Sequence, residues 1–153
     1  MIREEAYKWA NSQVRSKVKS HVDIIATLAN TAAILKERFP DFFWIGFYFL
    51  KEDHLLLGPF QGPPACVKLS LERGVCGTSV SSGKTIIVAD VDQFPGHVAC
   101  DPRSKSEIVV PIFDTNDQVR AVLDVDSQKP DDFSEIDAKG LENIVGQLKK
   151  IWV

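Results

Sequence analysis

The chain is short of several things. Its 153 residues include three cysteines, one methionine and two tyrosines. An odd thiol count suits a stable disulfide framework poorly; it suits redox chemistry better, where one sulfur attacks and another resolves. No apolar run approaches the ~20 residues of a membrane-spanning helix, and the aromatic stretch Phe42 to Leu50 is far too short. Basic excess is also missing. Lys and Arg number 18 against 21 Asp and Glu, a net charge of -3, which excludes a broad positive field for nucleic acid or an anionic membrane. Repeats, low-complexity tracts and linkers are absent, so a single domain over residues 1–153 is expected. The opening Met1-Ile-Arg-Glu-Glu5 carries charge at once and lacks the apolar core of a signal peptide, which with unpaired thiols points to the cytoplasm.

What is present is an orderly pattern of helices and strands. Residues 4–19 place Tyr7, Ala10, Val14 and Val18 at helical spacing, a helix on the domain surface. Ser20-His21-Val22-Asp23 reads as a capping box. Val22, Ile25, Leu28, Ala29, Ala32, Leu35 and Phe39 follow as one stripe, stopped by Pro40. Phe42–Leu50 and Leu55–Phe60 form a hairpin through the Lys51–His54 turn, and Val67–Leu71 is a short strand. Gly74–Ser82 opens a short helix that Gly83 is placed to end. Thr85–Ala89, Glu107–Phe113 and Val119–Val125 are strands, the last two joined by the Asp114–Asp117 turn. Asp90 to Lys105, with Pro95, Gly96 and Pro102, is a long ordered loop, and such loops are usually functional. Ser134-Glu-Ile-Asp137 is a second capping box, starting a final helix with Leu141, Ile144, Val145, Leu148 and Ile151 on one face. The order predicts an α+β fold: an antiparallel sheet packed with N- and C-terminal helices.

Each thiol lies in or beside a glycine- or proline-marked turn. Cys100, with His97 three residues before it and Asp101 after it, is the leading candidate nucleophile. Cys66 follows a double-proline loop, an accessible position for a resolving thiol. Cys76 sits at a helix start, where packing as a small hydrophobe competes with activation by the helix N-terminus. Cys66, Cys76, His97 and Cys100 also make a paper zinc set, but no tight Cys-x2–4-Cys pair supports it, so no metal is expected. Asp124 and Asp126 share a strand face at spacing two and are costly to bury without a cation. The competing reading lets the strand emerge into solvent there, with Asp126-Ser127 turning; Glu107 tips the balance towards an acidic pocket for an ammonium group. Trp44 and Tyr48 share a face of the first strand, as core or as the wall of a pocket for a methyl or thioether group. No phosphate-cradling motif and no nucleophile elbow are present.

Phe43-Trp-Ile-Gly-Phe-Tyr48, Leu57-Gly-Pro-Phe-Gln-Gly62, Gly74-Val-Cys-Gly-Thr78, Gly96-His-Val-Ala-Cys-Asp101, Ser106-Glu-Ile-Val109 and Val122-Leu-Asp-Val-Asp-Ser127, in this order and spacing, resemble the free methionine-(R)-sulfoxide reductases, a family with a GAF-domain fold. The resemblance implies that Cys100 attacks the sulfoxide sulfur, leaving a sulfenic acid and free methionine. It implies that Cys66 resolves this as a disulfide reduced by thioredoxin, with Cys76 auxiliary or an alternative resolving thiol. Glu107, Asp124 and Asp126 match acids that bind the substrate amino group and help protonate the sulfoxide oxygen. Trp44 and Tyr48 match aromatics around the sulfoxide methyl. It implies no cofactor, and a homodimer is compatible with it. Departures are small: Arg120-Ala121 where a glycine is common, and a slightly longer Asp114–Asp117 turn. Two rival readings stand beside it: a GAF sensor module that binds a small ligand without turnover, and a thiol switch without a specific substrate.

Overall fold

A computed structural model describes residues 2–18, 23–97 and 100–152. Its elements are α1 (Arg3–Lys17), α2 (Ile24–Arg38), β1 (Phe42–Leu50), β2 (His54–Gln61), β3 (Lys68–Ser70), α3 (Gly74–Ser82), β4 (Ile86–Val88), β5 (Ser106–Phe113), β6 (Val119–Ser127) and α4 (Glu135–Gly146). The strands make one sheet in the order β3-β2-β1-β6-β5-β4, antiparallel at every described pairing. This is the α+β, GAF-like arrangement the sequence predicts.

The sheet separates two apolar layers, and the period of two decides which residue joins which. Ile108, Val110 and Ile112 of β5 and Ala121, Leu123 and Val125 of β6 face α1, α2 and α4. Val109, Val122, Trp44 and Tyr48 face the other way, against Val75 and Cys76 of α3. One departure from strict alternation matters. Phe42 pairs with Ser127 and Trp44 with Asp126, so β1 carries an extra residue at Phe43. The bulge sends Phe42 to the helix side and Trp44 to the other, where a regular strand would put both on one face.

The helices mostly follow the sequence pattern. α1 buries Ala6, Tyr7, Ala10 and Val14, so it is anchored along one face rather than merely laid on the surface. In α2 the expected stripe is shifted. Ile25 is 53% exposed and Ala29 is exposed, while Thr27 and Thr31 are buried beside Leu28, Ala32 and Leu35. The threonines can face the core because each hydroxyl donates to the carbonyl four residues earlier: Thr27 Oγ1 to Asp23 O at 2.9 Å and Thr31 Oγ1 to Thr27 O at 2.9 Å. Asp23 is the N-cap and accepts from Ala26 N. Ser20, His21 and Val22 of the expected capping box lie outside the described residues, as do Val98 and Ala99. The second capping box is present, Ser134 with Asp137. Gly83 ends α3 at φ 64°, a left-handed conformation that glycine adopts at little cost.

Candidate active site

The register of β1, β6 and β5 builds the floor of the cavity. Asp126 lies between Trp44 and Glu107 across the sheet, and Asp124 between Gly46 and Val109. Both aspartates and Glu107 therefore point to the α3 side. β6 continues as a paired strand through Ser127, so the reading in which Asp126-Ser127 turns into solvent is not what forms. Gly46 is required by this geometry. Trp44 folds across it, and a Cβ at this position would lie 2.4 Å from the indole ring.

The trio sits in an environment that resists charge. Glu107 and Asp124 are 5% and 6% exposed. Burial first, then the neighbouring Asp124 and Asp126 carboxylates, push the Glu107 carboxyl well above the usual range, and it lies within hydrogen-bonding reach of both. Burial raises Asp124 as well, opposed by hydrogen bonds from Glu107 and Cys76 and by nearby His97. Asp126 is raised well above the ordinary value by burial and then by Asp124. Such a cluster retains a proton that isolated carboxylates would have lost, which suits it to donate one. It also welcomes a cation. Among the described residues Asp124 Oδ1 is buried with no hydrogen-bond partner, as is Ser104 Oγ, another atom of a cavity-lining residue.

The thiols separate. Cys66 and Cys100, 34 residues apart, are joined as a disulfide with a Cα–Cα distance of 5.6 Å. The bond ties the loop after β2 to the long loop before β5, at the mouth of the cavity. Cys76 is the free thiol, buried in the first turn of α3. Activation by the helix N-terminus does not win there: burial, then Asp124, Glu107 and Asp126, raises its thiol well above the ordinary value and keeps it protonated. Asp101 does not act as a base for Cys100. Its carboxylate is gripped by Arg103 through Nε at 3.0 Å and Nη2 at 2.7 Å, which lowers its pKa to about 2. The Arg103 guanidinium stacks 4.7 Å from the Phe43 ring centroid, so the pair ties the Cys100 loop to β1.

The aromatic wall also holds the partner loop. Trp44 Nε1 donates to Pro63 O at 3.1 Å and Tyr48 Oη to Cys66 O at 2.9 Å. Burial and the nearby acids raise the Tyr48 phenol, so it stays a donor. Trp44 stacks on Tyr48 and on Phe60, with centroids 5.9 and 5.3 Å apart. The thiols, acids and aromatics singled out in the sequence, Trp44, Tyr48, Cys66, Cys76, Cys100, Glu107, Asp124 and Asp126, meet here: seven line the cavity with His97 and Asp101, and Cys66 is bonded to Cys100. Sequence reasoning missed Arg73 and Ser104, which also line it, and the backbone of Gly74 to Gly77. Arg73, the N-cap of α3, makes no side-chain capping bond to that helix, whose first turn lines the cavity. A lone arginine before a glycine carries no sequence signal for this; only the packing of α3 over β5 and β6 does.

A sheet with α3 and a disulfide-linked loop pair on one face and three helices on the other is a GAF architecture, and the family model described as GAF domain matches residues 21–151. The free methionine-R-sulfoxide reductase of Escherichia coli is 44% identical over 151 residues, 99% of this chain and 91% of that protein. The crystal structure of free methionine-R-sulfoxide reductase from Neisseria meningitidis, in complex with its substrate, is 43% identical with a TM-score of 0.93, covering 97% of this chain and 89% of that one. The reduced form of the Staphylococcus aureus enzyme is 46% identical with a TM-score of 0.88, covering 94% and 92%. The chain belongs to the GAF-domain family and, within it, to the free methionine-R-sulfoxide reductases, which are oxidoreductases.

Proposed function

We propose that the protein reduces free L-methionine-(R)-sulfoxide to methionine, with Cys100 as nucleophile and Cys66 as resolving thiol. The observation that carries this reading is the Cys66–Cys100 disulfide at the mouth of a cavity floored by proton-holding acids. In the reduced protein the Cys100 thiolate attacks the sulfoxide sulfur. The oxygen needs a proton to leave sulfur, and Glu107 supplies it; the oxygen ends on Cys100 as a sulfenic acid and methionine departs. The Cys66 thiol then attacks the Cys100 sulfur, expelling water and closing the disulfide. A dithiol partner of the thioredoxin class supplies two electrons to reopen it.

The cavity suits a free amino acid. Asp124 Oδ1 and Asp126 receive the ammonium group, while the first turn of α3 and Arg73 face the carboxylate. Trp44 and Tyr48 flank the methyl-sulfinyl end. A peptide bond would replace the ammonium with an amide and leave the buried acids unpaired, so methionine sulfoxide inside proteins is a poor substrate. No described helix is long and apolar enough to cross a membrane, and reduction by thioredoxin fits work in the cytoplasm.

The test mixes the protein with racemic free methionine sulfoxide, thioredoxin, its reductase and NADPH. Consumption of half the racemate, abolished by Cys100→Ser, is the expected result. Absent NADPH oxidation, or turnover surviving Cys100→Ser, removes the reading.

A further inference from the structure

Cys76 has no part in the proposed cycle, yet it stands among the buried acids. Its Sγ, a Glu107 carboxylate oxygen and an Asp124 carboxylate oxygen all lie within 4.8 Å of one another, and all three residues are buried. This is a different donor set from the Cys/His group weighed on sequence spacing. Three donors at the corners of a triangle 4.8 Å on a side sit roughly 2.8 Å from its centre. Zinc bonds to sulfur at about 2.3 Å and to carboxylate oxygen at about 2.0–2.2 Å, so even at this outer limit a shift of roughly 0.5–0.8 Å per ligand atom closes the gap. Among the described residues Asp124 Oδ1 has no hydrogen-bond partner, and it belongs to a residue 94% shielded from solvent and lining the cavity.

The geometry points to a site for a borderline-soft divalent cation of the zinc class, held by Cys76 Sγ, Glu107 and Asp124 at the cavity floor. A substrate ammonium accounts for the carboxylates but gives no reason for sulfur beside them. A divalent cation accounts for both, because a coordinating thiol gives up its proton outright and two carboxylates with one thiolate offset the metal charge. The fourth position opens into the cavity, where His97 lines the wall. The metal site stands without the reductase reading. Its consequence rests on that reading: metal and substrate ammonium share Asp124 and Glu107, so the cation is a reversible competitive inhibitor.

The full chain with its Cys66–Cys100 disulfide closed is the form to test, because Cys76 is then the free thiol. Metal-free protein is titrated with Co2+ as the spectroscopic probe, followed by displacement with Zn2+. The expected result is one Co2+ per chain with a thiolate-to-cobalt charge-transfer absorption in the near ultraviolet. Cys76→Ser removes that absorption. Asp124→Asn keeps the thiol and weakens affinity at least about tenfold. A missing charge-transfer band in the wild-type protein overturns the proposal, and so does a band undiminished by Cys76→Ser. Unchanged affinity in Asp124→Asn also overturns it, which keeps the test decisive if Cys76→Ser fails to fold. A band that Cys76→Ser abolishes and Asp124→Asn shifts to higher cobalt concentration, in a protein that never reduces methionine sulfoxide, leaves the metal site standing and removes the reductase reading. Reduction of methionine sulfoxide by a protein with no such band does the reverse.

Discussion

Replacing Glu107 with glutamine keeps the shape of the side chain and removes its proton from the reaction. Glu107 is 5% exposed and lies within hydrogen-bonding reach of Asp124 and Asp126. The glutamine amide can donate to both carboxylates, so the floor keeps its geometry. What disappears is an acid able to protonate the departing sulfoxide oxygen. A positioned general acid contributes about 10²- to 10⁴-fold, equivalent to roughly 2.7–5.4 kcal/mol of barrier. Stability should move the other way. Glu107 holds its proton more tightly folded than unfolded, so this contribution to stability is full below the unfolded pKa. It is lost as pH rises through the raised folded value. Glu107→Gln removes that loss, so the variant should be at least as stable as the parent near about pH 8, with a flatter fall from about pH 5. The assay is single-turnover release of methionine from fully reduced protein by rapid quench, beside denaturant unfolding at the two pH values. A folded Glu107→Gln protein releasing methionine within about threefold of the parent rate refutes Glu107 as the acid.

Tyr48→Phe removes the donor to the Cys66 carbonyl, about 1 kcal/mol of loop anchoring. It should slow disulfide closure about fivefold and methionine release less; equal effects on both steps contradict the anchoring role. Arg103→Ala frees Asp101 and the Phe43 stack, and should slow methionine release about three- to tenfold in rapid quench by loosening the Cys100 loop. Gly46→Ala drives a methyl into the Trp44 ring and should cost about 1–3 kcal/mol in denaturant unfolding, with weaker substrate binding; an unchanged midpoint contradicts the packing.

The acids were legible because the period of two is strict in β6: Asp124 and Asp126 share a face whatever surrounds them. Trp44 and Tyr48 follow by the same rule. The bulge at Phe43 was not legible, since it shows only in the register with β6 and local composition carries no mark of it. Nor was the shift of the buried α2 face, because hydroxyl bonds to preceding carbonyls let Thr27 and Thr31 replace Ile25 and Ala29 in the core. Cys76 illustrates the limit in energetic form. Its helix position argues for activation, and burial, followed by the tertiary approach of the acids, reverses the sign. The cavity roles of Arg73 and Ser104 likewise come from how α3 and the long loop pack over the sheet.

Two thiols and a buried acid acting on one free amino acid leave a signature that a single turnover reads out. Fully reduced protein, without any recycling partner, is mixed with excess racemic free methionine sulfoxide, and the methionine formed, the epimer consumed and the protein disulfides are quantified. One methionine per chain is expected, drawn from the R epimer, with Cys66–Cys100 closed and Cys76 still free. Methionine formed by Cys100→Ser, or a product disulfide that includes Cys76 in place of Cys66, contradicts it.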